Sequence, residues 1–165
     1  VVQEIVPRLC WHCAIPLDRA VSEPALGLAA RYGDTALIAA DVLAAAGFDA
    51  DLARVRVRNP EGCSVCRRTV QISGEETPRV IAAGTHGVTV LSEGVLFTEE
   101  LIEQLARGDT MGAYRRWCDE LGGQPIQQDA ATRMAAGEID PNDVRRKGLL
   151  THALDRRLRA AGGGA

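Results

Sequence analysis

Four of the five cysteines in this chain fall into two C-x-x-C pairs, Cys10 with Cys13 and Cys63 with Cys66. A C-x-x-C turn directs two sulfur atoms toward one point, so two such turns can supply the four thiolates of a tetrahedral zinc site. Five cysteines are too few, and too oddly numbered, for the disulfide framework of a small secreted domain. The spacing therefore predicts that these four residues bind one metal ion, with Zn2+ as the first choice and an iron centre as the alternative.

A thiol-redox role is the competing interpretation of the same pairs. His12 lies between Cys10 and Cys13, where a cationic imidazole could lower the pKa of a neighbouring thiol. Thioredoxin-like sites, however, usually carry a tryptophan before the first cysteine, whereas Trp11 lies between the two. Redox chemistry would also leave the second pair unexplained, so metal binding is the stronger prediction.

Arginines near the second cysteine pair and near the C-terminus form a second group of candidate binding residues. Around that pair, five arginines and one glutamate give a local charge of +4 in a chain whose net charge is -3. On the last predicted helix, further arginines and His152 recur on one face and form a basic stripe. Basic surfaces of this kind contact nucleic-acid phosphates. The predicted nucleic-acid-binding residues are Arg54, Arg56, Arg58, Arg67, Arg68, Arg145, Arg156 and Arg159.

These arginines could also serve the fold without binding any nucleic acid. They could be solvated, or they could pair with acidic residues such as Asp49, Asp51, Glu75 and Glu76. Aromatic residues make up only 4% of the chain, which leaves little for base stacking. If nucleic acid is the partner, we therefore expect contacts with a phosphate backbone rather than recognition of single strands.

The elements that must position the cysteines are short and mixed in type. A strand is expected to run into the first pair, and two helices are expected between the pairs. Ser22 caps the first helix and Gly33 ends it, and Asp34 then caps the second, which Gly47 ends. Alternation of arginine and valine over 54–58 predicts a strand that leads to the second pair. Short β-like runs follow at 69–72, 79–83 and 88–91, which together predict a small antiparallel sheet.

The final third of the chain is predicted to be helical. One helix begins at Thr98 and ends at Gly108, and a second runs from Asp109 to Gly122. A looser connector, 124–140, precedes a long last helix that opens at Pro141. The fold class is therefore α+β, with a small antiparallel sheet, a four-cysteine zinc site of the knuckle or treble-clef type and a helical C-terminal part. We divide it into a zinc-stabilised domain, 1–97, with a helical insertion at 22–47, and a helical region, 98–165.

The segment from Gly33 to Val70 resembles part of the zinc-dependent nucleoside and nucleic-acid deaminases, especially bacterial toxin deaminases that act on DNA. The shared features are a helix, Gly47, a strand, and then Asn-Pro-Glu-Gly-Cys-Ser-Val-Cys at 59–66, which matches the metal-binding C-x-x-C of that family. The resemblance implies that Cys63 and Cys66 are metal ligands. The family also needs H-x-E at the start of the preceding helix, for a further ligand and a proton carrier. This chain has Asp-Thr-Ala-Leu there, at 34–37.

The two cysteine pairs also resemble the metal frame of treble-clef proteins, which include HNH-type nucleases. No histidine lies between Cys13 and Cys63, so the residues that would activate a nuclease metal are absent from the sequence. Phosphate-binding loops, the nucleophile elbow and the H-E-x-x-H motif are absent as well.

Composition narrows the remaining choices. Hydrophobic residues make up 46% of the 165 residues and charged residues 25%, as in ordinary globular proteins. No stretch approaches the ~20 apolar residues that span a bilayer, so we expect a cytoplasmic protein without a membrane partner. The predicted function is a non-catalytic, zinc-stabilised binding or assembly module for nucleic acid or a protein complex. A deaminase-like enzyme, or a degenerate relative of one, and a C-x-x-C thiol-redox protein are the alternatives.

Overall fold

The computed structural model describes residues 1–49 and 51–149. Short strands and helices follow one another along this part of the chain. The strands are β1 (Val2–Leu9), β2 (Ile15–Pro16), β3 (Arg56–Val57), β4 (Arg68–Val70), β5 (Arg79–Ala82) and β6 (Thr85–Glu93). The helices are α1 (Leu17–Ser22), α2 (Ala29–Ala45), α3 (Glu99–Ala106), α4 (Thr110–Asp119), α5 (Ile126–Ala135) and α6 (Pro141–Arg146), with a 3-10 turn at Pro24–Leu26.

The strands form three two-stranded antiparallel sheets, in which β1 pairs with β6, β2 with β3 and β4 with β5. In the longest sheet Ile5 lies opposite Val90, and both are exposed, whereas Val6 and Leu91 are fully buried. This alternation follows from the two-residue period of a strand. The expected mixture of helices with small antiparallel sheets is confirmed, but the strands do not join into one sheet.

The main hydrophobic core surrounds α2. Buried side chains recur along one face of this helix at Tyr32, Ala36, Ala39 and Leu43, which is the spacing of an amphipathic helix. Buried side chains of β1, α1, β3, β6, α5 and α6 belong to the same cluster, among them Val6, Leu17, Val57, Leu91, Ile126, Met134 and Val144. The strand that leads to each cysteine pair is therefore fixed on a common core.

α2 is continuous through Gly33 and Asp34, where the sequence predicted one helix to end and another to begin. That prediction is wrong. Glycine costs about 1 kcal/mol in a helix interior relative to alanine, but Tyr32 and Ala36, on either side of it, are buried in the core. Burial of this helical face outweighs the local preference of Gly33 and Asp34 to end or begin a helix.

The predicted cap at Ser22 is also wrong, because Ser22 is the last residue of α1. The helical segment between the cysteine pairs begins at Leu17, which is fully buried. Burial of Leu17 in the core therefore determines the start of this segment more than the side chain of Ser22 does.

α5 lies within the stretch 124–140 that the sequence predicted to be a loose connector. That prediction is wrong because Ile126, Ala130 and Met134, four residues apart, bury one face of a helix against the core. Two of the buried positions are alanines, Ala130 and Ala131. Alanine is only weakly hydrophobic, so the sequence of α5 shows little difference in hydrophobicity between its buried and exposed faces.

α6 is shorter than the predicted last helix. It ends at Arg146, and Gly148 then adopts the left-handed conformation with φ 70°, so the expected uninterrupted helix from Pro141 is wrong. His152, Arg156 and Arg159, which were predicted to share a basic stripe with Arg145, lie outside the described residues.

α3 and α4 follow the sequence prediction closely. The Thr98 side chain accepts a hydrogen bond from the Leu101 backbone N–H, and the Asp109 side chain accepts one from Gly112. These helices pack on each other through Leu101, Ala113 and Trp117, which form a small cluster separate from the main core.

The proposed division of the chain at residue 97 stays a prediction. Within 1–49 and 51–149, no helix combines the length and apolar character that a membrane crossing requires.

Candidate metal centre

The first cysteine pair lies on a turn that is held directly by neighbouring backbone. The Leu9 N–H at the end of β1 donates to the Glu138 carbonyl (2.8 Å), and the Cys10 N–H donates to the Gly84 carbonyl (3.0 Å). The N–H groups of Cys13 and Ala14 both donate to the Cys10 carbonyl, at 3.2 and 2.9 Å. This single helical turn brings the two thiols to the same side of the backbone.

The second pair repeats this local geometry. The N–H groups of Cys66 and Arg67 donate to the Cys63 carbonyl, at 3.1 and 2.8 Å. Gly62 precedes the turn with φ 67°, and a Cβ added there would lie 3.0 Å from the Ala83 Cβ, so glycine suits this position. The two turns thus present their sulfurs in equivalent positions. A preceding turn, in which the Gly62 N–H donates to the Asn59 carbonyl (3.2 Å), leads into Cys63.

The four sulfur atoms converge to the dimensions of a metal site. The Sγ atoms of Cys10 and Cys63 lie 3.8 Å apart, those of Cys13 and Cys66 lie 3.6 Å apart, and those of Cys63 and Cys66 lie 3.8 Å apart. All four Sγ atoms lie within 4.8 Å of one another. A tetrahedral ion with metal–sulfur bonds of about 2.3 Å requires sulfur–sulfur separations of about 3.8 Å. A disulfide requires about 2.05 Å, so the spacing fits a shared metal ion and not a bonded pair.

The environment of Cys66 favours its thiolate form. Burial raises the pKa of this thiol, but hydrogen bonds from the backbone N–H groups of Cys63 (3.3 Å) and Gly84 (3.2 Å) lower it. Hydrogen bonds with the neighbouring thiols add to the lowering, and the pKa of Cys66 falls to about 7. Burial raises the pKa of Cys10 and of Cys13. Metal binding requires cysteine ligands to lose their protons, so an environment that favours the Cys66 thiolate also favours a bound cation.

Gly84 connects the two cysteine turns, a role that the sequence did not reveal. Its carbonyl accepts from Cys10, and its N–H donates to the sulfur of Cys66. Its φ is 71°, and a Cβ at this position would lie 2.3 Å from the Asn59 carbonyl oxygen and 2.5 Å from Cγ of Arg58. Only glycine fits there without displacing the backbone that leads to Cys63.

A buried polar network lies behind the metal centre, and nothing in the sequence pattern predicted it. Asp140 Oδ2 accepts hydrogen bonds from the Tyr32 hydroxyl (2.7 Å) and the Arg58 N–H (2.8 Å), while Oδ1 accepts from the Asn142 N–H (2.8 Å). Asp143 accepts from the Arg58 guanidinium at 2.6 Å. The sequence signalled Asp140 only as a helix start, because its partners are up to 108 residues away. The network ties the segment that precedes Cys63 to α2 and α6.

The predicted arginines fall into different environments. Arg58 is mostly buried and bound to Asp143, so its guanidinium is committed within the fold. Arg54 lies 3.7 Å from Asp51 at the surface. The Arg145 guanidinium donates to Thr35 Oγ1 at 3.1 Å.

Three of the predicted arginines remain available near the metal centre. Arg56 donates to the Ala14 carbonyl (3.1 Å), which places its side chain beside the first cysteine turn. Arg67 and Arg68 follow the second turn and are exposed. Their binding to nucleic acid stays a prediction.

The segment that resembles a deaminase helix has a structural role here. Thr35 is buried inside α2, and its hydroxyl donates to Asn142 Oδ1 at 2.5 Å. A shallow cleft of about 500 Å³ lies elsewhere, between the end of β6 and the α3–α4 pair. Its lining residues include none with an acidic, basic or thiol side chain: Ser92, Gly94, Leu96, Thr98, Trp117, Leu121, Gly122, Gly123 and Gln124.

Neither a known protein-family model nor a curated protein matches this chain. What can be inferred about its function therefore rests on the geometry of the four cysteines, which lie together and could hold a metal ion.

Proposed function

We propose that Cys10, Cys13, Cys63 and Cys66 hold one zinc ion in a closed structural site, and that the chain is a non-catalytic binding or assembly module built around it. The observation that carries the proposal is the approach of all four sulfurs to within 4.8 Å. They come from two turns that are far apart in sequence. Four thiols without a metal ion have no strong attraction that would bring them together, whereas a shared ion does.

Zinc and a structural role both follow from the chemistry of the donors. Four thiolates fill the four positions of tetrahedral zinc and leave none for a water molecule or substrate. The metal would join the end of β1 to the turn before β4, and so hold together two parts of a fold whose core contains many small side chains. The cysteines form no disulfides with one another, which fits a reducing compartment such as the cytoplasm.

The partner of such a module is nucleic acid or a protein complex. Exposed arginines beside the metal centre, Arg56, Arg67 and Arg68, support the first of these. The metal would then hold the binding surface in place, and the metal itself would not contact the nucleic acid.

Elemental analysis of the purified protein tests the metal assignment. We expect one zinc per chain, and loss of most helical circular dichroism when a chelator removes it. Cys66→Ser should abolish stoichiometric binding, whereas Cys118→Ser, outside the cluster, should leave one zinc bound. One iron ion per chain in place of zinc would change the identity of the metal and leave the proposed four-cysteine site unchanged.

Metal-free protein that is equally resistant to heat would refute the structural role. Material without metal whose paired cysteines form disulfides would favour the thiol-redox alternative. Deamination of cytosine in DNA by the zinc-loaded protein would contradict the non-catalytic assignment.

A further inference from the structure

Trp11 lies at the tip of the first cysteine turn with 78% of its surface exposed, whereas the other tryptophan, Trp117, is 5% exposed. The His12 ring stacks on the Trp11 indole, with centroids 3.6 Å apart and planes inclined by 28°. One face of the indole is thus covered by an imidazole, and most of the remaining surface is open. Such exposure of a large ring costs free energy in water unless a ligand covers it.

Exposed arginines lie next to the two cysteine turns. Arg56 donates to the carbonyl of Ala14, the residue that follows the first turn. Arg67 and Arg68 follow Cys66, whose sulfur lies 3.6 Å from that of Cys13. Within residues 1–49 and 51–149, none of these three arginines forms an ion pair with a carboxylate. Glu61 is the nearest acidic residue in sequence to the second turn. The positive charge next to the two cysteine turns, the first of which carries Trp11, therefore favours an anionic partner.

We propose that this surface binds single-stranded nucleic acid: a base stacks on the open face of Trp11, and the flanking phosphates contact Arg56, Arg67 and Arg68. An aromatic ring with nearby guanidinium groups suits a strand that presents a flat base and an anionic backbone together. Bases in a duplex are already stacked, so the indole could not reach one without unstacking it. This inference specifies the partner of the module proposed above and rests on that proposal. It departs from the expectation of backbone contacts alone, because Trp11 is exposed and one exposed indole is enough to stack a base.

Fluorescence anisotropy of the zinc-loaded full chain tests the inference, with labelled oligothymidine DNA and oligouridine RNA of about 20 nucleotides, enough for one binding site. We expect both to bind at low salt. Trp11→Ala should weaken binding about tenfold or more, the usual effect of removing one stacking partner, whereas Trp11→Phe should restore part of it. The Arg67→Ala and Arg68→Ala changes should each reduce the slope of log affinity against log salt by about 0.7.

Matched controls separate this surface from general effects. Phe97 is an aromatic residue with 63% exposure away from the cysteines, and Arg115 is an exposed arginine on α4. Phe97→Ala and Arg115→Ala should leave binding within about twofold of the unmodified chain, because surface changes away from a site have little effect. Zinc content is measured on every sample, so failure of the metal site is seen separately from failure to bind nucleic acid.

Three results would overturn the inference. The first is that protein holding one zinc binds neither oligonucleotide at low salt. The second is that Trp11→Ala binds as tightly as the unmodified chain. The third is that a duplex of the same length binds as tightly as the single strand. Binding restricted to the DNA or the RNA probe would support the surface and identify the sugar that it prefers.

Discussion

Replacement of Asp140 by alanine would remove the carboxylate on which three hydrogen-bond donors converge. These donors are the Tyr32 hydroxyl and the backbone N–H groups of Arg58 and Asn142, each 2.7 to 2.8 Å from a carboxylate oxygen. Asp140 is 2% exposed, so water cannot readily replace it. The change therefore leaves buried donors without acceptors rather than returning them to solvent.

The expected cost follows from these contacts. Loss of the α6 N-cap costs about 1 kcal/mol. The buried Tyr32 hydroxyl, left without a partner, costs about 1–3 kcal/mol, and the part-buried Arg58 N–H costs about 1 kcal/mol. We expect Asp140→Ala to lower the free energy of unfolding by about 3–5 kcal/mol, a large part of the 5–15 kcal/mol of a typical domain.

Urea unfolding of the zinc-loaded protein measures this change. At a slope of about 2 kcal/mol per molar urea, the midpoint should fall by about 2 M. Tyr32→Phe removes one donor but leaves the carboxylate with two others, and should cost about 1 kcal/mol. The double variant should be less destabilised than the sum of the two single changes, because it no longer contains a stranded hydroxyl. A loss below about 1 kcal/mol in Asp140→Ala, or strict additivity in the double variant, would refute the proposed network.

The same network makes Tyr32 resistant to ionisation. Burial, and then the charge and hydrogen bond of Asp140, raise the pKa of the Tyr32 hydroxyl. The unfolded chain ionises tyrosine at about pH 10. The stabilising contribution of neutral Tyr32 is therefore complete below about pH 10 and is lost as the pH rises toward the higher folded value. In a Tyr114→Phe variant, whose only tyrosine is Tyr32, tyrosinate absorbance should appear together with unfolding, and ionisation near pH 10 in folded protein would contradict the assignment.

Two further substitutions test the close approach at Gly84 and the packing of α5. Gly84→Ala should destabilise the protein by more than about 2 kcal/mol and weaken zinc binding, whereas Gly74→Ala, with φ 92° but open space around it, should cost only about 1 kcal/mol. Chemical denaturation and zinc competition would show the difference, and equal effects would contradict the close contact. Met134→Ala in the core should cost about 2–5 kcal/mol, whereas Met111→Ala at an exposed position should change stability by less than about 0.5 kcal/mol. Similar thermal midpoints for these two variants would show that α5 does not pack on the core.

Sequence reasoning succeeded where the determining interactions are local or chemically specific. The cysteine pairs could be recognised because few structures other than a metal site require four thiols at this spacing. The start of α3 at Thr98 and of α4 at Asp109 could be predicted because each cap bonds only three residues ahead. These features depend on short stretches of chain and on side chains whose preferences are strong.

The errors arose where distant contacts decide the structure. Gly33 lies inside a helix because its neighbours are buried, and no local pattern reports that burial. The strands divide into three pairs because strands that are distant in sequence pair with each other, such as β1 (Val2–Leu9) with β6 (Thr85–Glu93). The contacts of Asp140 with Tyr32 and of Gly84 with Cys66 join residues that are far apart, and a single sequence does not indicate such pairings.

The β4–β5 hairpin offers a place where the chain could be lengthened. Residues 67–71 and 73–81 are exposed, and Gly74 near the tip has nothing within 4 Å of its added Cβ. Both ends of the hairpin are fixed, one by Cys66 and the other by Gly84, so extra residues at the tip would not separate them. Longer loops add only slowly to the entropy of closure. A reporter domain or affinity tag grafted after Gly74 would thus extend from the protein while the core and the sulfur cluster keep their positions.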